Sequence, residues 1–229
     1  MNQKVSIVIP AHNEEHCLAA TLEKVCALGY PDFEVIVVDN ASTDRTSEIA
    51  QRFPVKLVHE EKKGLLHARE RGRVEAQGEI IANIDADCLP DKDWLKKGVA
   101  ILNAKQAVAV SGPYYYFDGS FIFRSTSFFA QKYVYTAVSQ LMQRTKGLGI
   151  LIGGNTLIRT SALKNIGGYD TSILFYGEDT NTARKLCTEG KIVFSPRFVM
   201  PTSARRFQNE GTLKVIGLYL FNFFKAAFT

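Results

Sequence analysis

Ile80-Ile-Ala-Asn-Ile-Asp-Ala-Asp87 reads as a buried strand that ends in two carboxylates. Asp85 and Asp87 stand two residues apart, a spacing that puts both side chains on one side of an extended backbone. Two acids at the open end of a strand repel each other, and a divalent cation relieves that repulsion. Oxygen ligands of this kind suit Mg²⁺ or Mn²⁺, with water or a phosphate completing the shell. The stretch therefore points to a metal–diphosphate site. Taken alone it is equally an ordinary solvated Asp-x-Asp turn, so its weight comes from what surrounds it.

Three further apolar, β-branched runs precede it: Val5–Pro10, Glu34–Asp39 and Val55–His59. Between them the sequence predicts helices. Asn13 is placed to cap the first, with Glu14 and Glu15 in its opening turn and Leu18, Leu22, Val25 and Cys26 as its apolar stripe. Asn40–Asp44 is a turn that leads into a short helix running to about Phe53, with Asp44 as its cap. Gly64–Gln77 is a basic helix, and Glu79–Asp85 is the fourth strand. Strand and helix alternate as in a doubly wound α/β fold with a largely parallel sheet and helices on both faces. Ligands of such sheets bind beyond the carboxyl ends of the strands. The polar clusters Pro10–Glu14, Asp39–Asp44 and Asp85–Asp87 all fall there.

The second half is less regular. A helix over Asp91–Leu102, a strand over Ala107–Gly112 and a long helix over Ser125–Arg144 lead to the glycine-rich Gly147–Asn155. A short strand over Thr156–Ile158, a turn at Gly167–Asp170, a helix over Glu178–Glu189 and a strand over Lys191–Ser195 follow. Nothing resembles a linker, so one domain is expected.

Composition narrows the class. The chain has 229 residues, 46% of them hydrophobic and 22% charged, as in an ordinary globular protein. The formal charge of +5 suits an anionic ligand or a lipid surface. Its basic residues are spread along the chain, so no nucleic-acid partner is expected. Cys17, Cys26, Cys88 and Cys187 form no Cys-x-x-Cys pair, and the four histidines lack metal-ligand spacing. A strand begins almost at the N-terminus, leaving no room for a signal peptide, and no run reaches the length of a membrane span. A reduced, cytoplasmic setting at the inner face of the membrane is the expectation. The absence of Gly-x-x-x-x-Gly-Lys-Ser/Thr excludes a P-loop NTPase.

Several segments together carry a family resemblance. Val5-Ser-Ile-Val-Ile-Pro-Ala-His-Asn-Glu14, Val37-Val-Asp-Asn-Ala-Ser-Thr-Asp44, Gly64-Leu-Leu-His-Ala-Arg-Glu-Arg-Gly72 and Ile84-Asp-Ala-Asp87 come first. Gly153-Gly-Asn155 and Glu178-Asp179 follow in the same order. The chain resembles family 2 glycosyltransferases, inverting enzymes of the nucleotide-diphospho-sugar transferase (GT-A) fold, over roughly residues 4–207. The resemblance implies a nucleotide half, about 1–105, and an acceptor half, about 106–207.

It also implies roles for individual residues. Pro10, Ala11 and Glu14 would line the nucleoside pocket, with Glu14 accepting from a ribose hydroxyl. Asp39 would accept the ring N–H of a base, uracil by preference. Arg69 would lie near the nucleotide. Asp87 would bind Mn²⁺ or Mg²⁺ directly, and Asp85 the ribose or the metal through water. Asp179 would be the general base toward an acceptor hydroxyl, with Glu178 beside it. Gly153 and Gly154 would let backbone approach the sugar, and Asn155 would meet donor or acceptor hydroxyls.

Two departures qualify this pattern. The late histidine of many members is absent from Pro201-Thr-Ser-Ala-Arg-Arg206. Arg205 and Arg206 are expected to help hold the diphosphate instead, and Arg206 is the candidate contact. The Gln-x-x-Arg-Trp motif and membrane spans of processive synthases are also absent, which implies one sugar per encounter.

The expected partners are a nucleotide-sugar donor, UDP-linked by preference, and a saccharide or lipid-linked acceptor. Residues 208–229 read as an apolar terminal helix. Within it Leu213–Phe228 is too short to span a bilayer but is suited to lie in the interface, or to pack on protein. Two other classes compete. A nucleotidyltransferase would need a glycine-rich phosphate loop where Pro10-Ala-His-Asn-Glu14 stands. A nucleotide-sugar binding module without turnover would share every donor residue.

Overall fold

The computed structural model describes residues 3–173, 177–212, 214, 215, 217 and 218. Its first half is a wound parallel sheet. Strands β1 (Val5–Ala11), β2 (Phe33–Asp39), β3 (Lys56–His59) and β4 (Ile80–Ile84) alternate with helices α1 (Leu18–Cys26), α2 (Thr46–Ala50) and α3 (Leu65–Glu75). Every residue of β1 and β4 is buried, as required of strands covered on both faces. Alternation divides their side chains between two cores. Ile7, Ile9 and Ile84 pack with Leu18 and Leu22 of α1. Val8, Val38 and Ile81 pack with Leu66 and Ala68 of α3 on the other face. Helix α3 lies so close to the sheet that a Cβ on Gly72 would stand 2.3 Å from Val8 Cγ1.

The second half contributes α4 (Trp94–Ala104), β5 (Ala109–Ser111), β6 (Tyr114–Tyr116) and α5 (Phe121–Phe129). A π-helical stretch (Ala130–Tyr135) joins α5 to α6 (Thr136–Lys146). Then come β7 (Asn155–Arg159), α7 (Thr160–Asn165), α8 (Glu178–Leu186), β8 (Ile192–Phe194), β9 (Met200–Thr202) and α9 (Arg205–Glu210). The main sheet runs β3-β2-β1-β4-β7-β5-β8. Strand β7 is antiparallel to both β4 and β5, and the remaining pairs are parallel. Strands β6 and β9 form a separate parallel ribbon. From β1 the chain winds outward to β2 and β3, then returns to place β4 on the other side. The switch point therefore lies between β1 and β4, where an open α/β sheet binds its ligand.

The mostly parallel α/β sheet with helices on both faces is as expected; several details differ. Helix α1 starts at Leu18 with Cys17 as its N-cap, so Asn13 does not cap it and Glu14 and Glu15 precede it. Asn13 sits at φ 55° and its Oδ1 accepts from the Thr43 N–H at 2.8 Å, binding this loop to the one after β2. The long helix of the second half is longer than its apolar pattern suggests. It begins at Phe121, where the Ser120 hydroxyl accepts from the Phe123 N–H, and ends where Gly147 turns to φ 67°. Strands β6 and β9 and helix α7 are too short to show periodicity. The apolar stretch Leu213–Phe228 lies almost wholly outside the described residues. Among the described residues no helix is long and apolar enough to cross a membrane.

Candidate active site

The site forms at the switch point because each strand there hands over to a polar loop. Pro10 and Ala11 close β1, buried beside Val38 and Asp39 in register. Asp39 accepts from the Ser42 N–H at 3.1 Å and from the Ser47 hydroxyl. Burial works against its charge, but the bonds from Ser42 and Ser47 prevail and hold the carboxyl below its usual range. Asn40 fixes the surrounding loops. Its amide donates to the carbonyls of Glu60 and Lys62, and its Oδ1 accepts from the Gly64 N–H. Asp44 accepts from the Thr46 N–H at the start of α2 and from the Glu15 N–H. These bonds brace the turn into α2, whose N-cap is Arg45 rather than the expected Asp44.

Beyond β4, the two acids of the organising stretch meet different partners. Asp85 Oδ2 accepts from the Tyr114 hydroxyl at 2.8 Å, and Asp85 Oδ1 lies 3.3 Å from Arg69 Nη2. Asp87 accepts from Arg205 Nε at 3.0 Å and from Thr202 Oγ1 at 3.2 Å. Burial first, and then repulsion from Asp85, push Asp87 up to about 6. Arg205 also donates to Glu14 Oε1, while Glu14 Oε2 is buried with no hydrogen-bond partner among the described residues. Three carboxylates thus crowd a crevice in which Arg205 is one of two balancing cations among the described residues.

Arg69 is the other. It projects from α3 and is only 3% exposed, so it is not on a solvated helix face. Its Nη1 lies 3.3 Å from Asp179 Oδ1, and it thereby links Asp179 to Asp85. Burial opposes its charge, but Asp179 and Asp85 outweigh that and raise its pKa further, so it stays charged.

Asp179 and the buried Glu178 open α8, after Gly177 turns to φ 87°. Asp179 Oδ2 accepts from the Gly153 N–H at 2.8 Å. Burial first, and then the neighbouring Glu178, push Asp179 up to about 7. Such a group is poised between acid and base near neutrality.

The two glycines serve the carboxylates. A Cβ on Gly154 would stand 2.0 Å from Asp85 Oδ2, and one on Gly153 would stand 2.4 Å from Asp179 Oδ1. They make room for the acids to close in.

Two expected contacts fall elsewhere. Asn155 is fully buried. Its amide donates to the carbonyls of Gly112 and Phe198, at 3.0 and 2.8 Å, and its Oδ1 accepts from the Trp94 indole N–H at 3.0 Å. It is a strut between β7, α4 and the loop before β9, with no face toward the crevice. Arg206 donates to Glu210 one turn along α9, and Arg205 takes the place beside the acids. Tyr114 and Thr202 were not legible as site residues. Both lie on the β6–β9 ribbon, whose pairing brings residues 86 or more positions apart in the chain to the same crevice.

A wound α/β sheet with paired acids at its switch point and a third acid facing them from α8 defines a GT-A-type glycosyltransferase domain. The sequence model described as "Glycosyl transferase family 2" matches residues 6–167, and the chain belongs to that family. Glycosyltransferase AglE of Haloferax volcanii is 26% identical over an alignment of 211 residues that covers 89% of this chain and 68% of that protein. The probable glycosyltransferase YdaM of Bacillus subtilis is 32% identical over an alignment of 191 residues that covers 77% of this chain and 45% of that protein. The mannosyltransferase PcManGT of Pyrobaculum calidifontis, solved with GDP-Man and Mn²⁺, superposes with a TM-score of 0.78 at 26% identity. That match covers 99% of this chain and 64% of the other, so this chain spans about half to two thirds of these proteins.

Proposed function

We propose that the chain is an inverting glycosyltransferase that moves one sugar from a nucleoside-diphosphate donor to a hydroxyl of a saccharide or lipid-linked acceptor. The observation that carries this reading is the Asp85–Arg69–Asp179 array. One buried guanidinium fixes an acid of the donor side and an acid of the acceptor side at 3.3 Å each. On this reading residues 1–105 hold the donor and 106–207 present the acceptor.

The residues supply the steps as follows. Pro10, Ala11 and Glu14 bound the nucleoside, and Asp39 keeps lone pairs for the ring N–H of uracil or guanine. Arg205, turned from Asp87 to the diphosphate, balances its charge. Asp179, ionised, takes the proton of the acceptor hydroxyl as that oxygen attacks the anomeric carbon from the face opposite the diphosphate. The diphosphate leaves and the configuration inverts.

The acids suit a divalent cation. Asp85 and Asp87 repel each other, and Glu14 Oε2, on the acid that shares Arg205 with Asp87, lacks a partner among the described residues. Asp87 would hold the ion, with Asp85 toward the ribose or toward the ion through water. Among the described residues no three His, Cys, Asp or Glu side chains converge as a ligand set, and substrate oxygens and water would complete the shell. When bound, such an ion neutralises charge on the leaving diphosphate. Mn²⁺ and GDP-Man in the Pyrobaculum neighbour support this choice of metal and donor class.

The test is Asp179→Asn. Turnover should fall by about 10²–10⁴-fold, the worth of a positioned base, while donor binding measured by calorimetry is kept. A variant with wild-type turnover removes Asp179 from the role.

A further inference from the structure

The helix running from α5 through α6 turns polar side chains as well as apolar ones inward, with Phe123 half-buried against Tyr116 and Phe207 and Phe128 against Tyr115. Gln131 and Ser139 are buried, Gln131 Oε1 accepts from the Tyr114 N–H at 2.9 Å, and Gln143 donates to the Ile192 carbonyl. Its outward side carries large apolar residues among polar ones such as Ser125, Thr126 and Gln140. Phe121 and Ile122 are 74% and 75% exposed, Phe129 and Leu141 are each 62% exposed, and Tyr133 and Val134 are each more than half exposed. The steps from Ile122 to Phe129, Tyr133 and Leu141 follow helical periodicity, so these side chains make one continuous stripe. An exposed stripe of this extent marks an interaction surface.

Charge selects the partner. The 51 residues from Gly119 to Tyr169 contain six basic residues and no acid. Those six exceed the formal excess of +5 carried by the whole chain. Two of them border the stripe. Arg124 lies over the rings of Tyr115 and Phe121, at 5.7 and 5.9 Å. Lys132 lies 5.5 Å from the ring centres of both Phe128 and Tyr133. Aromatic and aliphatic side chains flanked by basic ones, on a helix that itself carries no acid, suit the headgroup region of an anionic bilayer.

We propose that the outward face of α5–α6 docks the protein flat on an anionic lipid surface. The face is coupled to the crevice, because Gln131 holds Tyr114 and the Tyr114 hydroxyl holds Asp85. Docking therefore sets the orientation of the catalytic crevice relative to the bilayer. Lipid binding itself does not depend on the transferase reading.

The experiment is sedimentation of the full chain with phosphatidylcholine vesicles, with and without phosphatidylglycerol. It is repeated for the triple variant Ile122→Ser, Phe129→Ser, Leu141→Ser. Light scattering in the absence of lipid reports the oligomeric state. The native chain should sediment with the phosphatidylglycerol vesicles and less with phosphatidylcholine alone. The triple variant should bind at least about tenfold more weakly, since three inserted apolar side chains are lost. Its thermal midpoint should be unchanged, because the substituted positions are exposed. The proposal is overturned if the native chain does not sediment with phosphatidylglycerol vesicles. It is also overturned if the triple variant binds as well as the native chain, which would move the contact to another segment such as the C-terminal tail. A native dimer that the triple variant abolishes, without lipid binding, overturns it too and makes the face a contact between copies.

Discussion

The strands β1 and β4 and the helix α5–α6 solve the same problem in opposite directions. In the strands every side chain is buried, the polar Ser6 and Asn83 included, and charged groups appear only past the last residue, where Ala11 and Ile84 give way to Glu14, Asp85 and Asp87. In the helix polar groups face inward at Gln131 and Ser139, while large apolar ones at Ile122, Phe129 and Leu141 face out. The strands concentrate charge at one sheet end, where a small ligand fits. The helix spreads apolar surface along its length, where only something extended fits. Both proposed sites thus lie where the usual ordering of polar and apolar breaks off.

Substitutions separate the two regions, and the largest effect belongs to the buried one. Asn155→Ala would leave the Trp94 indole N–H and the carbonyls of Gly112 and Phe198 unpaired in the core. It should cost about 3 kcal/mol of stability, read by denaturant unfolding, with near-native donor affinity in the molecules that stay folded. A large loss of affinity in folded protein would return Asn155 to the crevice. Next comes pH. Asp179, pushed up to about 7, is protonated below that value and then cannot accept a proton. The profile of kcat/KM should climb about tenfold per pH unit below neutrality and level off above it. A profile flat down to pH 5 would contradict the assignment. The smallest effect belongs to the outward helix face. Leu141→Ser should change stability by less than about 0.5 kcal/mol, because the side chain is already in solvent. A loss of several times that would mean that the residue packs against something in solution.

The same contrast governs how much could be read from the sequence. Strands buried on both faces are continuous apolar runs, so β1, β2 and β4 stand out, and with them the acids that terminate them. Arg69 also stands out as a basic residue on α3, but its burial does not. Burial of an arginine depends on acids 16 and 110 positions away. Asn155 looks like a ligand contact because its capacity for hydrogen bonds is visible, while the carbonyls that consume it are not. Arg205 and Arg206 are adjacent, and only the start of α9 decides which turns to Asp87 and which to Glu210. The β6–β9 ribbon is three residues per strand, too short to leave a pattern, and so Tyr114 and Thr202 come from the structure alone.

The central claim is that the crevice between β1 and β4 holds a nucleoside diphosphate through Asp87. Calorimetric titration of the chain and of Asp87→Asn with UDP and with GDP, each with and without Mn²⁺, tests it most directly. One nucleotide should bind in the presence of Mn²⁺, and Asp87→Asn should weaken it by at least about tenfold, the loss of a charged ligand contact worth about 1.4 kcal/mol or more. Folded protein that binds neither nucleotide, or a variant that binds as well as the native chain, would contradict it.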